Sequence, residues 1–278
     1  MELTHLFIGS LNSEVWGTIN GYRDLYEFVE KSKTQFNRYK QASKMLGLPM
    51  VIAYTNFINY VCDGRATEIQ HISVHNYITM ASVLTLKKLW KTYLFSSAID
   101  FTSFNLLNNS TADTDKYELL CMHVLSVPDF FCFSAGAKTD RVDKTLALVD
   151  NMVAQKTLHP CLKADKKNCS LPTCNKCLRG LLTLDLYNKL DNMNEVFDVD
   201  LYRRKRQKYL IELCDLRNNE FFEKLYKLFC KKYPTAMAKA RIRIIVRLYI
   251  IKPLKVTVRM FIIKPLKVAR FFYRKLKR

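Results

Sequence analysis

Cys161, Cys169, Cys174 and Cys177 fall within seventeen residues of a 278-residue chain, and no other feature limits the local fold as tightly. Sulfurs this close along a chain can share one cation, and zinc takes four thiolates in a tetrahedron. Cys174-Asn175-Lys176-Cys177 is a Cys-x-x-Cys knuckle that offers two sulfurs from one turn. Cys161 and Cys169 can return from the preceding loop, which Pro160 and Pro172 mark as irregular. Leu178, Leu181, Leu182, Asp185, Leu186 and Leu190 follow at helical spacing, so a helix starting at Cys177 would aim its N-terminus at the sulfurs and favour their thiolate form. Lys163, Lys166, Lys167, Lys176 and Arg179 surround the cluster; they suit the charge of about −2 on zinc with four thiolates, though a solvated basic loop has the same composition. Zinc is the expectation, against a redox Cys-x-x-Cys pair or a disulfide framework. Cys62, Cys121, Cys132, Cys214 and Cys230 are scattered through apolar stretches, where a thiol behaves as a small hydrophobe.

The N-terminus, Met1-Glu2-Leu3-Thr4-His5, has no basic region followed by an apolar run, and no run of eighteen apolar residues occurs. The expectation is a cytoplasmic protein without structural disulfides, in which the cysteines bind metal.

Hydrophobic residues make up 49% of the chain and Gly and Pro only seven each, enough for a full core and too ordered in composition for disorder. Leu3 to Ile8 reads as a buried strand, and Leu25, Phe28, Val29, Phe36, Tyr39, Met45 and Leu46 recur at helical spacing until Gly47 and Pro49. Met50 to Tyr54 reads as a strand, Val74 to Trp90 as a helix, Tyr93 to Ser97 as a strand, and Tyr117 to Met122 as a helical turn or strand. Phe130 to Phe133 is a further strand, leading through Ser134-Ala135-Gly136-Ala137 into a helix from Thr139 to Val149. Such alternation predicts an α/β fold with a largely parallel sheet and flanking helices, whose ligands sit at the carboxyl ends of strands. Past the cysteines the pattern is all helical: Leu178 to Leu190, Leu201 to Leu213 and Glu220 to Lys232. The expected domains are residues 1–160 (α/β), 161–235 (zinc loop and helices) and 236–278 (basic tail).

The net charge of +20 is concentrated, because residues 239–278 hold fourteen Lys or Arg and no acid, leaving +6 on residues 1–238. Ile250-Ile251-Lys252-Pro253-Leu254-Lys255 returns as Ile262-Ile263-Lys264-Pro265-Leu266-Lys267. Apolar pairs set between cations suit a kinked amphipathic segment on an anionic surface, lipid headgroups or nucleic acid; a disordered basic extension is the alternative. The interleaved aliphatics favour a peripheral membrane surface over RNA.

Residues 168–190, NCSLPTCNKCLRGLLTLDLYNKL, resemble the zinc-binding segment of 7-cyano-7-deazaguanine synthase and of related uncharacterised bacterial proteins of the ATP-pyrophosphatase, or adenine nucleotide alpha hydrolase-like, type. Upstream, Ser134-Ala135-Gly136-Ala137 with Arg141 and Lys144 looks like the small-residue loop, arginine and lysine that such proteins carry before their cysteines. Leu48-Pro49, Tyr54-Thr55-Asn56 and the helix near His75 fit the strand and helix after the family's first βα unit. The resemblance covers residues 1–213 and implies a Rossmann-like fold, a zinc held by the four cysteines, and an enzyme that adenylates an oxygen and releases pyrophosphate. The family's Ser-Gly-Gly-x-Asp-Ser phosphate loop appears nowhere, and Gly9-Ser10 is no substitute, so the fold expected is an incomplete Rossmann-like one lacking its first βα unit. ATP would then be bound only with a phosphate loop supplied upstream, and a truncated or inactive adenylating enzyme is expected. A non-catalytic zinc-containing α/β protein on an anionic membrane surface is the alternative, with an RNA-binding zinc module behind it.

Gly136, Arg141 and Lys144 could bind an anion, since a small-residue turn at a strand end opens a helix whose i, i+3 positions hold both cations; an ordinary turn with two solvated cations is the simpler reading of the same residues. His71 and His75 near a helix start read as surface or capping residues, and Asn56 as a turn former. No Ser-His-Asp order or His-Glu-x-x-His motif can be defended.

Overall fold

Two pairs of short parallel strands organise the N-terminal part of the chain. The computed structural model describes residues 2–9, 37, 39–53, 74–106, 113–161 and 167–246. Strand β1 (Leu6–Gly9) pairs with β2 (Met50–Ala53), with Leu6 opposite Met50 and Gly9 opposite Ala53. Between them in sequence, residues 39–46 form helix α1, which ends at Gly47. There φ is +66°, a left-handed backbone that glycine adopts without steric cost. Strand β3 (Thr92–Ser96) pairs with β4 (Phe131–Ala135), with Tyr93 opposite Cys132 and Phe95 opposite Ser134. Parallel strands need a crossover. Helix α3 (Glu118–Val124) lies in the β3–β4 connection, while α2 (His75–Thr85) precedes β3.

The expected single parallel sheet is replaced, among the described residues, by two two-stranded sheets. Aromatic side chains join them: the Phe7 ring on β1 stands edge-on to Trp90 and Tyr93, at 5.2 and 5.8 Å. The helix expected over 74–90 stops at Thr85, because a 3-10 turn at Lys87–Leu89 swings Trp90 into extended backbone, with its ring against Phe7. Residues 117–122, which read as helix or strand, are helical. Asp113 caps the preceding turn Thr114–Tyr117, which runs directly into α3. The expected helix over 25–46 is seen from residue 39, and Tyr54 lies outside the described residues.

Met80, Val83, Cys121, Met122, Phe130 and Cys132 form a core, with Phe7, Trp90, Tyr93 and Phe95 packed against it. Full burial of Phe130 alone contributes about 2–3 kcal/mol. At the carboxyl ends of β3 and β4 the buried Glu118 carboxylate accepts the Ala98 N–H (3.1 Å) and the Ser134 hydroxyl. The Lys144 ammonium donates to the Ser97 and Ile99 carbonyls, at 3.0 and 3.3 Å. Two side chains thus tie the loop after β3 to β4, to α3 and to helix α4 (Arg141–Val149).

Asn151, whose side-chain oxygen accepts the Val153 and Ala154 amides at 2.9 and 3.0 Å, opens α5 (Met152–Thr157), a short helix with too few turns to show an apolar period. Among the described residues four more α-helices follow: α6 (Asn175–Leu186), α7 (Val199–Asp215), α8 (Glu223–Lys232) and α9 (Pro234–Val246). The expected helix over 178–190 ends early, and Asn188 adopts φ +57° just beyond it. Its apolar stripe is real: Leu178, Leu181, Leu182, Leu186 and Leu190 are all buried. The chain divides into one compact unit of residues 1–169 with 183–199, and a second of 170–182 with 200–278. In the second, Tyr202 and Tyr209 stack edge-to-face at 4.6 Å in a core with Leu210, Leu213, Phe222 and Phe229. No helix among the described residues is long and apolar enough to cross a membrane.

Replacing Glu118 by Ala removes a buried side chain and leaves the half-buried Ala98 amide and Ser134 hydroxyl without their acceptor. Urea denaturation of Glu118→Ala should show a loss of about 3 kcal/mol. A loss below about 0.5 kcal/mol, the level of an ordinary surface substitution, would contradict this network.

Candidate metal centre

The four cysteines converge. One sulfur from each of Cys161, Cys169, Cys174 and Cys177 lies within 4.8 Å of the others. A tetrahedron with zinc–sulfur bonds of about 2.3 Å has sulfurs about 3.8 Å apart, so the spacing suits the cation with only small side-chain adjustment. Cys161 and Cys177 are buried and the other two half-buried, and no disulfide joins the described cysteines.

Backbone and side-chain hydrogen bonds put the sulfurs there. Asn168 is buried: its Oδ1 accepts the Cys161 amide (3.0 Å), and its Nδ2 donates to the Leu158 and Val196 carbonyls (3.0 and 2.8 Å). One amide thereby closes the loop whose ends carry Cys161 and Cys169. Ser170 then reverses the chain at φ +45°, a left-handed conformation that costs a non-glycine residue about 1–2 kcal/mol. Its carbonyl accepts the buried Tyr209 hydroxyl, which holds the turn. The Cys174 amide bonds back to Leu171 (3.1 Å), and the Leu178 amide bonds to the Cys174 carbonyl (2.8 Å) as α6 begins. The helix starts at Asn175, two residues before the expected Cys177, and so carries Cys177 in its first turn.

Of the five cations near the cluster in sequence, Lys163 and Lys166 lie outside the described residues. Lys167 donates to the Asn194 carbonyl (3.0 Å), and Arg179 lies over the Phe221 and Phe222 rings at 5.8 and 6.0 Å. Arg179 therefore works in packing. Three of the remaining five cysteines fit the reading of small hydrophobes: Cys121, Cys132 and Cys214 are buried, and burial pushes the thiols of Cys132 and Cys214 up to about 11. Cys230 is half-buried with its sulfur 2.9 Å from Arg241, and Cys62 is outside the described residues.

Gly136, Arg141 and Lys144 gather where β4 leads into α4. Gly136 follows the strand at φ +85°, and a Cβ there would touch Lys144 Cε at 3.5 Å. The Asp140 carboxylate caps α4, accepting the Val142 and Asp143 amides at 2.8 and 3.0 Å. The Lys144 ammonium is lowered from its usual range, first by burial and then by the Arg141 charge, while Glu118, Asp100 and Asp140 oppose the shift. His75 opens α2 and pairs with Asp115, a contact its position near a helix start does not reveal. His71 and Asn56 lie outside the described residues.

Asn168 and Glu118 are the residues that sequence reasoning passes over. The only signal for Asn168 is an amide directly before a cluster cysteine. The chain matches no protein-family model, no curated protein and no solved structure.

With four sulfurs in place no coordination position is left for a reacting water, so a cation here supplies cross-linking. Purified protein should contain about one zinc per chain, and Cys174→Ser should lose it together with most of the cooperative thermal transition. Metal analysis and calorimetry check both. A metal-free protein with an unchanged transition would refute the centre.

Proposed function

We propose that this protein is a zinc-stabilised α/β protein of the ATP-pyrophosphatase type, similar in build to 7-cyano-7-deazaguanine synthase, in which zinc maintains the fold and takes no part in a reaction. The observation that carries the reading is the convergence of Cys161, Cys169, Cys174 and Cys177 within 4.8 Å. The parallel pairing of β3 with β4, and the turn Ser134–Ala137 at its carboxyl end, support it, because that edge is where nucleotide-binding α/β proteins hold ligands. Residues 1–278 contain no Ser-Gly-Gly-x-Asp-Ser loop, so in this reading adenylation requires a phosphate loop supplied upstream.

Refolding from denaturant discriminates zinc from a redox role. With Zn2+ the chain should regain protease resistance and a near-ultraviolet dichroism signal, and without it the cysteine segment should stay cleavable. Equal refolding without metal, with Cys174 and Cys177 joined by a disulfide, would favour the redox pair. Incubation with Mg-ATP should release no pyrophosphate; release would overturn the inactive assignment.

A second reading, attachment to an anionic membrane surface, is favoured by α9. Ile242 and Ile245 are exposed there beside the exposed Arg241 and Arg243, at the start of a forty-residue stretch with fourteen cations and no acid. Each cation near such a surface contributes about 1 kcal/mol. The chain should float with phosphatidylserine vesicles at low salt and separate from them at high salt. Deleting residues 247–278, which keeps α9 and removes eleven of the fourteen cations, should abolish flotation. Retention by the shortened chain, or binding to RNA and not to vesicles, would reject it.

A further inference from the structure

A second set of ligating side chains meets within the α/β unit, far in sequence from the cysteines. His75 opens α2, while Asp113 and Asp115 flank the buried Thr114 in the turn leading to α3. One ligand atom from each of His75, Asp113 and Asp115 lies within 4.8 Å of the other two, and all three residues are half-buried. His75 Nε2 is 2.7 Å from Asp115 Oδ1, and Nδ1 is 3.0 Å from the Thr114 hydroxyl. The Asp113 carboxylate accepts the Asp115 amide at 3.1 Å, which fixes it as the cap of the turn.

The histidine geometry accommodates a cation. In one tautomer Nε2–H donates to Asp115 and the Thr114 hydroxyl donates to Nδ1; in the other Nδ1–H donates to Thr114 and the Nε2 lone pair faces Asp115 Oδ1, where a cation bonds both. A proton on Nε2 serves Asp115 alone. A divalent metal serves both carboxylates, since two carboxylates and a neutral imidazole sum to −2. Metal bonds of about 2.1 Å at right angles set nitrogen and oxygen about 3.0 Å apart, close to the separation here. Metal-ligating histidines typically donate their other ring N–H to a polar partner, the place Thr114 holds. Asp115 also lies beside Ser97, Asp100 and Glu118, just past the carboxyl end of β3, the edge at which parallel α/β sheets bind ligands.

We propose that His75, Asp113 and Asp115 bind a divalent transition cation of the Mn2+ class. One nitrogen and two oxygens suit Mn2+ and disfavour thiolate-seeking ions, and three protein ligands leave coordination positions for water or a substrate oxygen. The site is independent of the cysteine centre and would stand if that centre proved empty.

The test titrates the full purified chain with MnCl2 and reads free Mn2+ by electron paramagnetic resonance. About one Mn2+ per chain should bind at sub-millimolar concentration. His75→Gln and Asp115→Asn should abolish binding. Asp113→Asn retains a capping oxygen, so it should weaken Mn2+ at least tenfold with the metal-free melting temperature unchanged. Thr114→Val, acting through His75, should weaken it by about ten- to a hundredfold. An unchanged far-ultraviolet dichroism spectrum in each variant reports an intact fold. Absence of Mn2+ binding, or binding untouched by Asp113→Asn and Asp115→Asn, would overturn the proposal and leave a His75–Asp115 ion pair.

Discussion

Four sulfurs held within 4.8 Å, two of them buried, set the constraint on which the middle of this chain depends. The described residues between α5 and α6 form no regular element, so no ladder of backbone hydrogen bonds gives them shape. Asn168 supplies part of that shape by joining the Cys161 amide to the Leu158 and Val196 carbonyls. The left-handed Ser170 supplies another part and carries a conformational penalty. A cation shared by the thiolates offsets such a penalty readily, because metal binding to a loop that is unformed in the unfolded chain is itself folding free energy. The same saturation by sulfur that makes the centre a good cross-link makes it a poor catalyst.

The carboxyl ends of β3 and β4 show how one sheet edge divides its polar groups between structure and chemistry. Glu118 and Lys144 are both satisfied by the loop after β3, the former as acceptor and the latter as donor to two carbonyls. The amides opening α4 are met by the Asp140 carboxylate. Lys144, which a sequence motif suggests for anion binding, thus has defined partners within the chain. The acidic and imidazole groups of His75, Asp113 and Asp115 gather within 4.8 Å of one another, the spacing on which the proposed cation site rests.

Sequence periodicity located the strands of both parallel pairs and the leucine stripe of α6; the leucines are buried as the pattern marks them, whereas Phe131 and Phe133 of β4 are exposed. It failed where a tertiary contact decides. The Trp90 ring against Phe7 ends the helix expected over 74–90, and a side-chain cap at Asn151 creates α5 from a stretch with too few turns to show a period. The cysteine spacing identified the candidate centre because its ligands are local in sequence. The His75 group was not legible, since forty residues separate its members and a lone histidine carries no spacing signal.

X-ray absorption at the zinc edge of the purified protein tests the central claim most directly. Four sulfur neighbours at about 2.3 Å, with no nitrogen or oxygen in the first coordination sphere, are the expected result. A sphere containing nitrogen or oxygen, or a protein that folds with no zinc to absorb, would contradict it.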